Sequence, residues 1–353
     1  MAFVAFGPSV YGVDLETGRE VWSYPAQPER NQTFYAEPAV AEDMVVVGNY
    51  NETLMALDPE RGTLLWSFEG SASRFIGSAA IGETLVYAGS VDGVLHALDR
   101  ETGREVWSFR ADKDIWAQPL LVDGRVYVTS LDKHLYALDA ETGDLQWQFP
   151  EDDAALDPPV GAIVSAPSYY EGMLVFGSFN NVVYAVDADT GEIIWEYQAP
   201  TNWVWSSPSI DEQSGRVVGA DLDGNVFALD VETGEEVWSV EVSGPVVGAP
   251  TIAESEDGVK AVYIGTTSNP RLYRLDLEEG RQLVPPAQVE EEFTARFLFF
   301  PTGTSVRALP IYTTPTIYDG VVLVGSHDAN ASPLYALDRE SLVRVWAFEP
   351  IGS

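Results

Sequence analysis

The sequence has no cysteine, and this absence excludes several kinds of site. Without thiols the chain forms no disulfide framework, no thiolate zinc site and no iron–sulfur cluster, and it has no cysteine nucleophile. No run of 18 apolar residues occurs either, so the sequence predicts no transmembrane helix. Helical periodicity is lacking throughout, which favours an all-β protein.

Positive charge is scarce, because 19 Lys and Arg residues stand against 55 Asp and Glu residues, for a net charge of −36. This charge argues against nucleic acid and anionic membranes as partners, since phosphate groups are bound by Lys and Arg. Only Lys113, Lys133 and Lys260 are lysines, and the acids recur along the whole chain. This pattern is typical of a halophile's surface, and we expect an archaeal halophile as the source. An ordinary acidic extracellular protein is the alternative.

What the sequence does have is one segment of 13 residues that aligns eight times without gaps. In most copies an apolar run ends at an Asp, a Thr-Gly turn follows, and a Trp closes the segment. The copies occupy residues 10–22, 54–66, 95–107, 135–147, 183–195, 226–238, 272–284 and 334–346. Their spacing suits four short strands with their turns, which is the blade of a β-propeller.

A second recurring element, made of small residues near a proline, precedes each of the last seven copies by about twenty residues. The small residues, aligned two positions before the proline (Ala79 in the third blade), are Ala36, Gly77, Ala117, Ser165, Ser206, Gly248 and Thr313. Small residues suit the crowded centre of a ring of blades. We therefore predict that this element is the innermost strand, A, and that it ends near the proline. Strand B, the Asp-ended strand C and the Trp-bearing outer strand D follow.

The repeated ALDxxTGxxxW segment resembles the tryptophan-docking motif of the PQQ-like propeller repeats, as in quinoprotein alcohol dehydrogenases and BamB-type assembly lipoproteins. The resemblance covers essentially the whole chain. It implies one eight-bladed propeller over residues 1–353, with blades near 1–30, 31–71, 72–112, 113–155, 156–200, 201–243, 244–287 and 288–353. In that family each Trp packs on the small residue of its own motif and on the turn of the next blade. The implied docking ring is Trp22, Trp66, Trp107, Trp147, Trp195, Trp238 and Trp346.

Blade 7 departs from this pattern, because Arg274 replaces the small residue and Val284 replaces the Trp. Both partners of one contact are missing together, so we expect the wall between blades 7 and 8 to be the weakest. The longest insertion, from Pro285 to Pro310, lies in the same stretch. We predict that it packs over the irregular blade or projects as a loop.

Blade 1 begins directly at a B strand, Phe3 to Phe6, and no strand A precedes it. Two explanations stay open: a longer N-terminus that is missing here, which we favour, or a three-stranded blade. The stretch from Met1 to Val13 has no basic region and no long apolar run, so it does not have the features of a secretory signal.

The predicted place for a ligand is one mouth of the central channel, where residues of the inner elements converge. Candidate binding residues there are Tyr35, Glu37, Trp116, Gln118, Trp203, Trp205 and Tyr312. Trp116, Trp203 and Trp205 are the tryptophans that the docking ring does not use. Packing between neighbouring blades is the alternative interpretation of these aromatic residues, and the one we favour at this point.

Other chemistry finds little support in the sequence. His96, His134 and His327 do not have the spacing of metal ligands, and His96 stands at a core position of its motif. The segment from Asp221 to Asn225 resembles a calcium loop only faintly, because further ligands are lacking. No catalytic Ser/His/Asp set can be assigned.

These observations predict a non-catalytic scaffold that binds a protein or ligand, monomeric and extracytoplasmic, in high salt. The alternatives are a PQQ-dependent dehydrogenase of alcohols or sugars and a sensor domain of a larger anchored protein. The resemblance implies PQQ with Ca²⁺ for the enzyme, together with a vicinal disulfide that this chain cannot form. PQQ also carries three carboxylates, and cations to bind them are few. We therefore expect no cofactor.

Overall fold

The computed structural model describes residues 1–27, 33–34, 36–71, 73–151, 156–255, 258–297, 300–326 and 333–350, without the side chains of 291–306. All regular elements among these residues are β-strands. Strands adjacent in a sheet run antiparallel, as in the pairing of β-hairpins. The described part of the chain contains no helix that is long and apolar enough to cross a membrane.

Eight sheets form the blades. The first four are built by β1 (Ala2–Phe6), β2 (Ser9–Val13) and β3 (Glu20–Tyr24); β4 (Ala39–Val40), β5 (Val45–Gly48), β6 (Leu54–Leu57) and β7 (Leu64–Phe68); β8 (Ala80–Ile81), β9 (Leu85–Gly89), β10 (Val94–Asp99) and β11 (Glu105–Arg110); and β12 (Leu120–Val122), β13 (Arg125–Thr129), β14 (Leu135–Asp139) and β15 (Leu145–Phe149).

The remaining blades follow the same order. They are built by β16 (Ser168–Tyr170), β17 (Met173–Gly177), β18 (Val183–Asp187) and β19 (Ile193–Tyr197); β20 (Ser209–Asp211), β21 (Arg216–Ala220), β22 (Asn225–Asp230) and β23 (Glu236–Glu241); β24 (Thr251–Glu254), β25 (Lys260–Gly265) and β26 (Leu272–Asp276); and β29 (Thr316–Tyr318), β30 (Val321–Gly325), β31 (Leu334–Asp338) and β32 (Arg344–Phe348). The predicted eight-bladed all-β propeller is confirmed.

The innermost strands are shorter than predicted, and they begin after the proline instead of ending near it. In blade 5, for example, the strand starts at Ser168, directly after Pro167. Proline has no N–H to give to a ladder, so the paired stretch starts only beyond it. The inner strands of blades 2 and 3, and those of blades 5 to 8 in turn, approach one another to within 8 Å between Cα atoms, which places them around the centre of the ring.

The Asp-Thr-Gly turn between strands C and D is fixed by its own side chains. In blade 4, Asp139 Oδ1 accepts hydrogen bonds from the Thr142 N–H at 2.9 Å and from its hydroxyl at 3.0 Å. These bonds lower the pKa of Asp139. Gly143 then turns the chain at a φ of +76°, a backbone conformation that glycine adopts without strain.

The same glycines receive the tryptophans of the preceding blades. A Cβ built on Gly143 would lie 2.6 Å from the Trp107 ring, so only a residue without a side chain fits at this point of the turn. Each docking Trp also donates its indole N–H, at 2.7–3.1 Å, to the carbonyl that follows the motif Asp of the next blade. The pairs are Trp22–Pro59, Trp66–Arg100, Trp107–Ala140, Trp147–Ala188, Trp195–Val231, Trp238–Leu277 and Trp346–Leu15.

Within its own blade each docking Trp stands opposite the small residue of strand C, as the repeat predicts. The cross-strand pairs are Gly12–Trp22, Ala56–Trp66, Ala97–Trp107, Ala137–Trp147, Ala185–Trp195, Ala228–Trp238 and Ala336–Trp346. A register shift follows each pair and turns the outer strand at that point. The last docking contact, Trp346 on Leu15, joins blade 8 to blade 1 and closes the ring.

Blade 7 replaces the missing tryptophan with a different contact to blade 8. Arg274 is buried, and its guanidinium donates to the Glu340 carbonyl at 3.1 Å and pairs with the carboxylate of the same residue. The chain after β26 runs beside it without forming a regular outer strand, since Pro285 and Pro286 follow Val284. The expectation that this wall is the weakest stays a prediction.

The long insertion forms a hairpin, β27 (Glu290–Phe297) and β28 (Phe300–Ala308), as a sheet of its own. Its base is anchored by Val289 and Leu309, which are buried in the core shared by blades 7 and 8. Arg344 on β32 donates to the Glu290 carbonyl at 2.9 Å. The hairpin is therefore attached at its base, at the wall where the docking Trp is missing.

The docking contact should dominate the stability of the walls, and blade 6 offers a matched pair of residues on one strand. Trp238 is buried against Gly280, whereas its neighbour Val237 is 40% exposed. We expect Trp238→Ala to lower the free energy of unfolding by about 3–5 kcal/mol and Val237→Ala to change it by less than about 0.5 kcal/mol. Chemical unfolding at fixed salt measures both, and equal effects would contradict the docking account.

Candidate functional site

The loops of the ring are sorted by face. The segments that lead into the inner strands lie beside the B–C loops, where Leu222 N–H donates to the Trp203 carbonyl at 3.1 Å. The A–B turns lie beside the C–D turns, where Ala188 N–H donates to the Gly172 carbonyl at 2.8 Å. The first of these faces contains the predicted binding residues, and we call it the mouth face.

Neighbouring inner segments pass each other at backbone contact, which explains their small residues. We define an inner segment as the residues from three before the repeated proline (Ala79 in blade 3) through the following A strand. A Cβ on Gly77 would lie 2.5 Å from the Trp116 carbonyl oxygen, and one on Gly248 would lie 2.4 Å from that of Thr313. Larger residues at these points would force the blades apart.

Two repeated hydrogen bonds join the inner segments of blades 5 to 8. The hydroxyl directly after the proline of one blade donates to the proline carbonyl of the next. These pairs are Ser168–Pro208 and Ser209–Pro250, both at 2.5 Å, and Thr251–Pro315. In addition, the N–H directly before the proline donates to the hydroxyl at the same position of the next blade, as in Ala166–Ser207 at 2.9 Å and Ala249–Thr314 at 3.2 Å.

Four aromatic side chains form a continuous cluster on the mouth face, which we call the aromatic platform. Trp203 stacks on Phe179 with ring centroids 4.3 Å apart and planes inclined by 8°. Phe179 also contacts Trp205 at 5.5 Å, and Trp205 contacts Trp116 at 6.0 Å. The members come from blades 4, 5 and 6, so the platform bridges three blades. Trp203 remains 45% exposed.

A buried carboxylate holds the exposed end of the platform. Asp221 is fully buried, and its oxygens accept hydrogen bonds from the backbone N–H groups of Thr201 and Asn225, both at 3.0 Å, and from the Asn225 side chain at 2.8 Å. Asn202 Oδ1 in turn accepts from the Trp203 N–H at 2.7 Å. The segment that resembles a calcium loop is thus a turn whose carboxylate positions Trp203.

The predicted binding residues separate into groups. Trp116, Trp203 and Trp205 meet in the platform, whereas the Gln118 amide donates to the Ala79 carbonyl at 3.0 Å and so links two inner segments. Tyr312 is exposed, and it belongs to the inner segment of blade 8, three blades away from blade 5 in the ring. Tyr35 lies outside the described residues.

Glu37 lies between blades 2 and 8, away from the platform. Its carboxylate accepts a long hydrogen bond, 3.4 Å, from the Thr314 N–H. Water reaches the side chain, yet protein surrounds it closely enough that desolvation raises the pKa of Glu37, with the bond from Thr314 acting in the opposite direction.

Phe179 is the platform residue that the sequence analysis missed. It occupies the second position of its B–C loop, and the other blades have Tyr50, Val91, Leu131, Leu222 and Thr267 there. The backbone N–H of each of these residues donates to the segment leading into an inner strand, so the position always faces the mouth. That register was visible in the sequence, but the stacking of Phe179 on Trp203 was not; at the equivalent positions of blades 2 and 3 the Arg74 guanidinium lies 5.1 Å from the Tyr50 ring centroid.

The histidines do not form a metal site in the described residues. His96 is buried, with its ring between Phe68 and Phe75 and its Nδ1 2.8 Å from Glu105 Oε1, as expected for a core position. No group of three His, Asp or Glu side chains within the described ranges is placed to hold a metal ion. His327 lies outside those ranges.

The sheet order, the docked tryptophans and the mouth face define a β-propeller of tryptophan-docking repeats. A family model described as "Outer membrane protein assembly factor BamB" matches residues 2–81, 70–202 and 180–292. These matches span more than half of the chain, so the chain belongs to this family. A search of the curated proteins finds no match.

Solved structures with the same fold include one natural and one designed protein. The crystal structure of BamB from Moraxella catarrhalis is 20% identical, with a TM-score of 0.67 over 92% of this chain and 88% of that chain. The computationally designed Ika8 protein is 17% identical, with a TM-score of 0.69 over 90% of this chain and 86% of that chain. At these identities the similarity shows the fold alone.

The raised pKa of Glu37 predicts a pH-dependent stability. The folded protein binds the proton of the Glu37 carboxyl more tightly than the unfolded chain does, in which the pKa of a glutamate is about 4.3. Glu37 therefore makes its full contribution below that pH, and the contribution is lost as pH rises through the raised pKa of the folded state. Glu37→Gln keeps an acceptor for Thr314 without the charge, so it should melt at a higher temperature than the wild type at pH 7.

Melting curves between pH 4 and 8 test this prediction. The advantage of Glu37→Gln should shrink as the pH falls toward 4, where the wild-type carboxyl is also neutral. Glu42→Gln, which changes an exposed carboxylate in an A–B turn, serves as the matched control and should show no such trend. Parallel pH profiles for the wild type and Glu37→Gln would show that the environment of Glu37 does not disfavour its charge.

Proposed function

We propose that the protein is a non-catalytic scaffold that binds a partner protein or ligand at the aromatic platform. The observation that carries this proposal is the exposed Trp203, stacked on Phe179 and held by the buried Asp221 network. Three of the ten tryptophans are in the platform, and the docking ring does not require them. A large aromatic ring that is rigid and solvent-exposed is the kind of residue that anchors binding interfaces.

The electrostatics of the platform favour a neutral or cationic partner. The Trp116 indole N–H donates to Asp114 Oδ2 at 3.1 Å, which places a carboxylate beside the rings. Trp203 is close to further acids through Asn202, whose amide donates to Asp223 Oδ1 at 2.8 Å. PQQ, with its three carboxylates, would meet these negative charges and does not fit this set of donors. We therefore place binding, rather than quinone chemistry, at the mouth face.

We propose an extracytoplasmic, high-salt setting for this scaffold. The acidic composition supports the salt requirement. The family model that matches this chain is described as an outer membrane protein assembly factor, which supports a location outside the cytoplasm. At 0.1 M salt charges interact over about 10 Å, and at 1 M over about 3 Å. A net charge of −36 is therefore much better tolerated in concentrated salt.

Lowering the salt should destabilise the protein. We expect the melting temperature to fall steadily as KCl is reduced from about 2 M to about 0.1 M, because the acids then repel one another over a longer range. Sucrose at matched osmolality should not replace the salt, since it does not screen charge. A melting temperature that is independent of KCl would contradict the proposed setting.

Retention of a partner by the platform can be tested with matched variants. Wild type, Trp203→Ala and Val237→Ala are immobilised in about 2 M KCl and exposed to solubilised membranes of the source organism. Val237→Ala removes an exposed apolar residue on the outer strand of blade 6. We expect the wild type and Val237→Ala to retain the same protein from these membranes. Trp203→Ala should retain at least tenfold less of it, because an anchor residue of the interface is lost.

Two outcomes would overturn the proposed function. Equal retention by all three proteins would show that the platform is not the contact surface. A stoichiometric quinone spectrum with dye-linked alcohol oxidation, after addition of PQQ and Ca²⁺ in the same buffer, would replace the scaffold with an enzyme. Melting curves of Trp203→Ala check that the variant is folded.

A further inference from the structure

The mouth face contains the same local arrangement twice, once at blades 2 and 3 and once at blades 5 and 6. In each place a ring at the second position of a B–C loop, Tyr50 or Phe179, meets a side chain of the next blade. That side chain is Arg74 in blade 3 and Trp203 in blade 6. The carbonyls of Arg74 and Trp203 both accept a hydrogen bond from the B–C loop of their own blade, at 3.0 and 3.1 Å. The two positions are therefore equivalent, and their side chains can be compared directly.

At blades 2 and 3 the ring is covered by a cation from the chain itself. The Arg74 guanidinium lies 5.1 Å from the centroid of the Tyr50 ring, within the range of a cation–π contact. At blades 5 and 6 an indole takes the place of this guanidinium, because Trp203 stacks on Phe179 and remains exposed. The aromatic surface therefore continues toward solvent at the point where the other pair ends in a positive charge.

A carboxylate follows at the third position of the B–C loop in both blades, Asp92 in blade 3 and Asp223 in blade 6. In blade 3 this carboxylate is paired within the chain. The Arg110 guanidinium lies 3.6 Å from Asp92 Oδ2, and it donates to the Asp92 carbonyl at 2.9 Å. Arg110 is the last residue of β11 and stands opposite Val94, two residues after Asp92. Blade 3 thus supplies one arginine to the ring and another to the carboxylate.

Blade 6 has an acid at the place of the second arginine. Glu241 is the last residue of β23, and it has the same register, opposite the residue two positions after the loop carboxylate. Asp223 and Glu241 are both exposed, and neither has an ion-pair partner within the described ranges. Only neutral side chains donate to Asp223, namely the Thr201 hydroxyl at 3.0 Å and the Asn202 amide at 2.8 Å. Blade 6 therefore presents rings and carboxylates without the cations that accompany them in blade 3.

We propose that the aromatic platform binds an arginine-bearing segment of a partner protein, which supplies from outside the cations that Arg74 and Arg110 supply in blade 3. One guanidinium of the segment stacks on the exposed face of Trp203. Another pairs with the carboxylates of Asp223 and Glu241. This inference rests on the proposed function, because it names the chemistry of the partner at the same site.

The proposed high-salt setting favours arginine over lysine for this role. At 1 M salt charges interact over only about 3 Å, so the affinity must come from direct contact. A guanidinium is planar and weakly hydrated, and it can lie flat on an indole or bind a carboxylate with two N–H groups, whereas an ammonium is a strongly hydrated point charge. Two of the three lysines, Lys113 and Lys133, lie on the mouth face in blade 4. Asp223 and Glu241 belong to blade 6, so the cationic segment meets acids at the Trp203 end of the platform.

A peptide of alternating glycine and arginine, Gly-Arg-Gly-Arg-Gly-Arg-Gly, serves as the probe, with counterparts in which citrulline or lysine replaces every arginine. The protein carries fluorinated tryptophan, and the fluorine resonance of Trp203 is identified by its loss in Trp203→Phe. In about 2 M KCl we expect the arginine peptide to shift this resonance saturably, with a Kd of about 1 mM or below. Citrulline, which keeps the shape without the charge, should weaken binding by about tenfold or more, and lysine by about three- to tenfold.

Substitutions of the two acids separate this site from the general charge of the protein. Glu241→Arg should weaken the arginine peptide by about tenfold, because it removes one carboxylate and pairs the other as in blade 3. Asp223→Asn keeps an oxygen for its two donors and should weaken the peptide by about two- to fivefold, as for one exposed ion pair. Glu42→Arg makes the same change of charge on the opposite face, and Asp92→Asn changes the equivalent carboxylate that is already paired. Both controls should bind like the wild type.

Adding the peptides to the retention experiment distinguishes this inference from the proposed function. A membrane protein that is retained through Trp203 should be released by the arginine peptide and not by the citrulline peptide. Retention that depends on Trp203 but withstands the arginine peptide would overturn this inference and leave the scaffold function intact. Binding of the arginine peptide at Trp203 supports the inference even where no membrane protein is retained.

Three results of the titrations would also overturn the inference. Equal affinity for the arginine and citrulline peptides would show that the platform does not select a cation. Undiminished affinity of both Glu241→Arg and Asp223→Asn would show that these acids do not contact the segment. A saturable shift of the Trp203 resonance by maltotriose, with none by the arginine peptide, would make the ligand a sugar.

Discussion

The structure depends on one contact, in which an indole ring lies on a bare glycine turn of the next blade. Trp107 shows its requirements: Gly143 has no Cβ, its φ is positive, and the carbonyl of Ala140 accepts the indole N–H at 3.1 Å. Each part depends on another, since the Asp-Thr turn places both the glycine and the carbonyl. Because the contact joins neighbouring blades only, the ring is a sum of separate walls, seven of which contain this contact, as in other repeat proteins.

This local character explains how much of the fold the sequence predicted. A contact that each blade repeats leaves the same residues at the same spacing, so Asp139, Gly143 and Trp147 were sufficient to predict strands C and D and their wall. The inner strands have no such signature, and their two to four residues were placed on the wrong side of Pro167. Phe179 was missed because the repeat fixes the two positions but not the residues on them: the equivalent pair in blades 2 and 3 is Tyr50 with Arg74, and only the structure shows that the rings of Phe179 and Trp203 stack.

The departures from the repeat therefore tell more about function than the repeat itself. Val284 and Arg274 lose the docking contact together; the Arg339 carbonyl, where the indole would donate, accepts from the Tyr263 hydroxyl at 3.0 Å, and Arg274 binds the next carbonyl, that of Glu340, at 3.1 Å. A polar contact therefore joins blades 7 and 8 at this wall. The long hairpin β27–β28 begins beside it. Trp203 is the opposite case: an extra indole at a position where other blades have Thr33, Arg74 or Asp114, and where no docking turn needs it.

The docking contact closes the ring through the outer strands and does not involve the inner ones. Trp346 binds the Leu15 carbonyl on the outer part of the wall between blades 8 and 1, far from the channel. Closure there needs only strands C and D, which blade 1 has in full. The inner strand contributes a short ladder and the two bonds seen at Thr251 and Ala249. In the described residues blade 1 has no inner strand beside Val40 and Tyr318, which are exposed, while the docking contact of Trp346 joins blades 8 and 1.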